Sequence, residues 1–317
     1  MRIGIVGAGI AGLSCADALA RQGHQIELFD KGRRPGGRLS TRHHEEWSWD
    51  FGTQYFTLRD HRFAEWVDRM VGAGHVARWA NGPEGAYVGI PDMASLVASM
   101  SENHAVQFSR TIMRCEQVGE SWQLRTTEAQ FGPYDALILA IPAEQAAILL
   151  ATQDLAMARE AASARSLPCW TVMLGFAEPV AGLGDFERAA GPIAWAARSS
   201  SKPERGEGES WVIQASAGWS QAHLDMAPEQ VAEELTALFA ATLGVPLPEP
   251  AYAKAHRWRF AMTASPRAAA LWNPGLRLGA CGDWCRGARV EDAWLSGLEL
   301  AETMLGEEPV LRRAGAL

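Results

Sequence analysis

The spacing of apolar positions predicts the elements of the chain. Ile3, Ile5 and Val6 form a short buried strand, and Leu13, Ala16, Leu19 and Ala20 repeat at helical spacing up to Gly23. Ile26, Leu28 and Phe29 then make a second strand. Phe63, Trp66, Val67 and Met70 predict a helix over 61–71, and a helix opening at Pro91 and Asp92 runs through Leu96, Val97 and Met100. Strands follow from Val106 to Ile112, in a hairpin around Trp122 and Leu124, and from Tyr134 to Pro142. The last is an apolar run of the kind that parallel sheets bury on both faces. Helices are expected over 145–165, which is alanine-rich, and over 228–243. Apolar strands at 169–174 and 211–215 flank a stretch, 199–210, whose Ser, Gly, Glu and Pro read as a polar loop. Near the end, Trp258 and Phe260 share one face of a strand over 253–260. A strand over 276–283 then closes on Gly282 and Asp283, and a helix begins near Val290.

The first of these units carries a chemical signal. Strand, glycine turn, helix, second strand and terminal acid fall in one register over residues 1–31, the fingerprint of a dinucleotide-binding βαβ unit. Gly7 allows the tight turn, Gly9 lets the backbone approach a pyrophosphate, and Gly12 permits close packing of helix on strand. The helix N-terminus adds unpaired N–H groups and partial positive charge. Asp30 can accept from both ribose hydroxyls. A second glycine pair, Gly36 and Gly37, precedes Arg38, which can supply a charge-assisted contact to the same pyrophosphate.

Three further blocks are more particular. They are Asp50 to Asp60, which includes Gln54, Tyr55, Phe56 and Thr57; His256 to Trp258; and Cys281 to Cys285 with Arg289 to Gly297. With the glycine motifs and Ser201 to Arg205, they resemble the renalase family, in its bacterial branch within the FAD-dependent amine oxidase superfamily. Asp292 departs slightly from the small residue that such a helix start would suit.

The resemblance implies non-covalent FAD as cofactor. It implies an oxidase that takes a hydride from 2- or 6-dihydro-NAD(P) onto flavin N5, with O2 reoxidising the flavin to give NAD(P)+ and hydrogen peroxide. No protein group is then assigned as catalytic, since restoring an aromatic pyridinium asks for stacking and position more than for a base. The expected cofactor contacts are Gly7, Gly9, Ala11, Gly12, Asp30, Lys31, Gly37, Arg38, Gln54, Tyr55, Ile112, Asp283, Val290, Glu291 and Ala293. The expected substrate contacts are Phe56, Thr57, Arg59, Asp60, Trp170, Trp258 and Trp294. Arg59 has two readings, a ribose-phosphate or carboxamide contact and a plain surface residue. His256 is open between acid–base work and a satisfied strand histidine. The fold class is α/β: a Rossmann-type FAD-binding domain (1–55, 93–145 and 252–317) and a substrate domain on a mostly antiparallel sheet (56–92 and 146–251).

Composition narrows the alternatives. The 317 residues carry 29 basic and 37 acidic side chains, a net charge of −8, which argues against nucleic acid as a partner. No apolar run approaches a membrane span, no signal peptide opens the chain, and five scattered cysteines suit reduced thiols in the cytoplasm. Cys281 and Cys285 lack the partner cluster a zinc site requires, so no metal is expected. Thirteen tryptophans could serve a stacking site, although most will be core. The three lysines are more telling, because flavin amine oxidases of this superfamily place a lysine near N5. Lys31 falls at the adenine end of the motif and Lys202 in the polar loop, which leaves Lys254 as the candidate for such a role. An amine or amino-acid oxidase and a non-catalytic FAD-binding redox sensor stand as the rivals. A carotenoid-type desaturase is disfavoured by the short chain and its lack of an apolar membrane-binding segment.

Overall fold

Arg2–Val6, buried from its second residue onward, lies inside a six-stranded sheet. The computed structural model describes residues 1–189, 191–244, 246–263 and 268–306, and divides the chain into two compact units. The first comprises Met1–Arg33, Ser101–Ala164 and Ser265–Leu317. Its sheet runs in the order Leu271–Asn273, Leu278–Ala280, Ala136–Leu139, Arg2–Val6, Gln25–Phe29, Ala105–Gln107. All neighbours are parallel except Leu271–Asn273, which pairs antiparallel at one edge. A three-stranded antiparallel sheet (Arg114–Val118, Ser121–Arg125, Gln130–Tyr134) adds Trp122, Leu124 and Tyr134 to the core around Phe29, Leu137 and Leu139.

Two expectations change here. The strand read from Val106 to Ile112 stops at Gln107, because Ser109 turns to φ 57°. The amides of Ser109 and Arg110 then donate to the carbonyls of Gly32 and Asp30, each at 2.8 Å. The helix over 145–165 is two helices, Ala143–Leu150 and Leu155–Ser163. The Asp154 carboxylate caps the second by accepting from the amides of Ala156 and Met157.

The second unit comprises Arg34–Met100 and Arg165–Ala264. Its main sheet is antiparallel and five-stranded, in the order Phe186–Arg188, Ile193–Arg198, Glu209–Ala215, Ser166–Phe176, Tyr252–Thr263. Side chains alternate between its faces. Trp170, Val172, Leu174 and Phe176 point to one face, where Val231, Ala232, Leu235 and Phe239 of helix Pro228–Leu243 cover them. On the other face Met173 and Val212 meet Trp47, Trp49 and Phe51, which come from and follow a hairpin, Thr41–His44 with Trp47–Asp50. Trp49 Nε1 donates to the Leu174 carbonyl at 2.8 Å.

The unit boundaries differ from the expected domains for packing reasons. Residues 146–164 belong to the first unit, since Ala146, Leu149, Leu150, Met157 and Ala161 complete its core. Residues 34–55, 93–100 and 252–263 belong to the second, since Tyr252–Thr263 pairs with Ser166–Phe176 and the hairpin packs on the same sheet. Residues 264–267 and 307–317, expected in the FAD-binding domain, lie outside the described residues. Among the described residues, no helix is long and apolar enough to cross a membrane.

Candidate functional site

The glycine turn of the first unit is tight where the sequence requires it and open where a ligand would approach. Gly7 has φ 106°, and a Cβ there would lie 2.2 Å from the Ala140 carbonyl oxygen. A Cβ on Gly12 would lie 2.0 Å from the Gly7 carbonyl oxygen. A Cβ on Gly9 would meet nothing within 4 Å. Gly9 is the N-cap of helix Ile10–Arg21, so this cradle sits at the positive end of a helix, as an anionic pyrophosphate requires.

The Asp30 carboxylate backs the turn, accepting from the amides of Ala8 at 2.9 Å and Gly32 at 2.7 Å. It thus shapes the loop with lone pairs that the ribose reading had assigned only to hydroxyls. Ala11 is buried on the same helix, and Lys31 is exposed with Nζ 3.4 Å from Gln145 Oε1. Ile112 is a buried member of the first core.

The C-terminal block also folds in the first unit. Asp283 opens a short helix, Asp283–Arg286, and Val290, Glu291 and Ala293 open the helix Val290–Leu305, all four of them buried. That helix is drawn onto Ile10–Arg21, where a Cβ on Gly297 would lie 2.0 Å from the Ala11 carbonyl oxygen. Ser14 Oγ donates to the Trp294 carbonyl at 2.8 Å, and Trp294 is buried there. Ser296 is a residue that sequence reading missed. Its hydroxyl accepts from the Gly282 amide at 3.0 Å and donates to the Ala269 carbonyl at 2.7 Å, fixing the Gly282–Asp283 turn.

The second unit gathers Asp50, Gln54, Lys202 and Arg205 into a buried polar knot. Asp50 has no exposed side-chain surface. One of its oxygens accepts from Lys202 Nζ at 3.1 Å and Arg205 Nη2 at 2.7 Å, the other from Thr41 Oγ1 at 2.8 Å and the Met93 amide at 3.1 Å. Burial alone would raise the Asp50 pKa, but Lys202 and Arg205 beside it hold the carboxyl well below the usual range. Lys202 falls in the stretch expected to be a polar loop, yet its ammonium is fully buried. Burial pulls its pKa down to about 8 against the opposing pull of Asp50. The short 3-10 turn Ser199–Ser201 inside the polar stretch tucks it in.

Gln54 Oε1 accepts from Lys202 Nζ at 3.1 Å, and Gln54 Nε2 donates to the Asp50 carbonyl. Gly37 lies in the turn Gly37–Leu39, and the Arg38 carbonyl accepts from the Thr53 amide at 2.8 Å, which ties this turn to the Gln54 segment.

The substrate candidates part company. Tyr55 is half-buried, with rings of Trp195 and Trp79 at 5.5 and 6.3 Å, and its hydroxyl accepts from Arg188 Nη2 at 3.2 Å. Thr57 is half-buried and Arg59 is exposed. Phe56 turns the other way and packs in the core against Phe63 and Tyr87, so it is corrected to a packing residue. Asp60 caps helix His61–Gly72 by accepting from the Arg62 amide at 2.8 Å and pairs with that residue's guanidinium.

Trp170 is 1% exposed on the helix-covered face of the sheet, with Nε1 donating to the His223 carbonyl at 2.9 Å. It too is core. Trp258 lies on the opposite face, stacked on Phe51 at 5.2 Å, with Nε1 donating to the Phe51 carbonyl at 2.9 Å. His256 meets both rings edge-on, and burial, with Arg42 nearby, pulls it down to about 4, so it is neutral near pH 7. Lys254 is exposed on the same strand.

Comparison with known proteins places this geometry. A profile described as "NAD(P)-binding Rossmann-like domain" matches residues 5–70, and one described as "Flavin containing amine oxidoreductase" matches residues 63–305. The 4,4'-diapophytoene desaturase of Staphylococcus haemolyticus (strain JCSC1435) is 35% identical over 78 residues, covering 22% of this chain and 16% of the desaturase. The chain thus matches less than a fifth of that relative's length. A protein of Exiguobacterium sp. 255-15, provisionally assigned as a protoporphyrinogen oxidase, shares the fold with TM-score 0.78 at 14% identity, over 97% of this chain and 99% of that one. Cyclohexylamine oxidase from Brevibacterium oxydans IH-35A does so with TM-score 0.72 at 13% identity, over 96% and 99%. The chain belongs to the flavin containing amine oxidoreductase family, and its cofactor is FAD.

Proposed function

We propose that this chain is an oxidase of aberrant dihydronicotinamides, 2- or 6-dihydro-NAD(P), yielding NAD(P)+ and hydrogen peroxide in the renalase manner. The observation that carries this reading is the placement of the three lysines. Lys31 is exposed beside Gln145, the Lys202 ammonium is committed to Asp50 and Gln54, and Lys254 is exposed on an edge strand. Amine chemistry of the superfamily's usual kind calls for a lysine at the reacting ring. Hydride loss from a dihydropyridine calls for orientation instead, because the product regains aromaticity. Around Trp258 the second unit offers stacked rings and a neutral His256, a setting that supports the second requirement.

When bound, FAD supplies the hydride acceptor at N5 and the reduced ring that O2 reoxidises. The chain's own residues bind and orient. The cradle over Gly9 takes the pyrophosphate, Gly7 and Gly12 hold its shape, and Asp30 sets the loop and meets the ribose. The assignments of Ala11, Lys31, Gly37, Arg38, Gln54, Tyr55, Ile112, Asp283, Val290, Glu291 and Ala293 to FAD rest on the sequence pattern. Thr57, Arg59, Asp60 and Trp258 are the retained substrate residues, and the assignment of Trp294, as buried as Phe56, rests on the sequence pattern. Non-covalent attachment is supported by Cys281 and Cys285, whose buried thiols are pushed well above the ordinary value. Five free cysteines support a reducing compartment, the cytoplasm.

Amine oxidation is the second reading, favoured by the family's description. Anaerobic mixing separates the two. Rapid bleaching of the flavin absorbance by 6-dihydro-NAD(P), slow bleaching by ordinary NAD(P)H and none by amines is the expected result. Bleaching by amines and by no dihydronicotinamide isomer would overturn the proposal.

A further inference from the structure

Asp50 is one buried negative charge facing two buried positive ones, Lys202 and Arg205. Arg205 alone neutralises it, and the guanidinium is further satisfied by the carbonyls of Gly89 at 3.1 Å, Pro203 at 3.0 Å and Pro91. Lys202 is therefore a second desolvated cation that charge balance does not require. Such a charge costs folding free energy unless its other contacts return it.

Those other contacts all lead to one segment. Lys202 Nζ donates to Gln54 Oε1, and since Gln54 Nε2 donates to the Asp50 carbonyl, both ends of that amide are occupied and its orientation is set. On its other side the ammonium lies 5.4 Å from the centre of the Trp79 ring, a cation–π contact strengthened by burial. The neighbouring Ser201 Oγ accepts from Trp79 Nε1 at 3.1 Å and donates to the Arg198 carbonyl at 2.8 Å. Consecutive residues thus hold the tryptophan by edge and face. Trp79 touches Tyr55, Tyr55 touches Trp195, and Phe186 stacks on Trp195 at 5.2 Å, so the clamp continues into an aromatic wall next to Gln54 in sequence.

We propose that Lys202 is a positioning residue for the oxidation, fixing Gln54–Thr57 and the wall of Tyr55, Trp79 and Trp195 in the arrangement that receives the donor. This rests on the reading above, in which the segment serves the flavin and its substrate. Lys202 has no acid–base part in it; its ammonium acts through Gln54 and Trp79.

The test uses the full-length, FAD-loaded protein as wild type, Lys202→Met, Lys202→Arg and Gln54→Met. Two quantities are read: the anaerobic rate of flavin bleaching against 6-dihydro-NAD(P) concentration, and backbone hydrogen exchange of residues 51–57 by mass spectrometry. Lys202→Met is expected to lower the limiting rate by about tenfold or more with little change in the half-saturating concentration, as misorientation does. It should also raise exchange in 51–57 while global melting and FAD content stay close to wild type. Lys202→Arg should recover most of the rate, and Gln54→Met, which keeps the buried charge, should reproduce the defect if Lys202→Met fails to fold. A limiting rate within twofold of wild type together with unchanged exchange would overturn the proposal. If no dihydronicotinamide bleaches the wild-type protein, the functional reading fails. The exchange result alone then decides whether Lys202 fixes the segment.

Discussion

The glycine turn of the first unit and the polar knot of the second are held in shape by opposite means. At the turn, main chain does the work. Gly7 and Gly12 bring backbone to within 2.2 and 2.0 Å of where a side chain would begin, and Gly9 leaves the helix N-terminus uncovered. The three glycines and the helix they open lie within 30 residues, although the wall that Gly7 packs against is the Ala140 carbonyl, and backbone N–H groups at the helix N-terminus cost nothing to orient towards a negative charge once the helix exists. At the knot, side chains do the work. Asp50 and Lys202 come from elements 152 positions apart, and their charges are tolerated only because each is paired where no water reaches. A turn of the first kind fails when atoms are added. A knot of the second kind fails when its single counter-charge, Asp50, is taken away.

The largest effect should follow from adding atoms at the turn. Gly12→Val pushes side chain into the Gly7 carbonyl and should cost more than about 4 kcal/mol, giving little soluble protein in an expression and melting assay. Removing a partner from the knot comes next. Asp50→Asn leaves Lys202 and Arg205 facing each other without a counter-charge and should cost about 3–5 kcal/mol in urea unfolding. A loss below about 1 kcal/mol would mean that the two cations find other partners and that the comparison is wrong.

Gly9→Ala should separate folding from binding. Its Cβ meets no protein atom, so stability should change by no more than about 1 kcal/mol. FAD affinity should fall by roughly a hundredfold, equivalent to about 3 kcal/mol, in a fluorescence titration of the apoprotein. Unchanged affinity would move the pyrophosphate away from this cradle.

The smallest effect concerns His256. Its folded-state pKa, about 4, lies below the ordinary 6.5, so between those values the unfolded chain binds a proton that the folded chain does not. Stability from this site is therefore present above pH 6.5 and is lost as pH falls towards about 4. In His256→Phe, the drop in melting temperature between pH 7 and pH 4.5 should shrink. An unchanged drop would assign the acid limb to other groups.

Much of the first unit was legible because its signals are local. The βαβ register, the acid at Asp30 and the helix from Val290 each follow from spacing within a few turns of chain, and the parallel sheet forms from them as expected. Less of the second unit was legible. Phe56 and Tyr55 are adjacent and aromatic, and only the bridge of Phe56 to Tyr87 decides that the first packs inward while the second joins Trp79 and Trp195. Trp170 and Trp258 are both strand tryptophans, and the helix over one face of the sheet sends one to the core and leaves the other beside Phe51. Asp60 could have been read as a helix cap, since it directly precedes the helix from His61.

Lys202 shows the division most clearly. By itself the sequence determined the cofactor motif and the α/β class, because glycine conformations, helix termini and apolar period are properties of neighbouring residues. It also determined that lysines are few. What it did not determine was the fate of a lysine within a run of serine, proline, glutamate and glycine, whose composition predicts solvation. Tertiary structure decided that, by bringing Asp50, Gln54 and Trp79 around its ammonium. Whether a charge can be buried depends on partners remote in sequence, and only the folded chain assembles them.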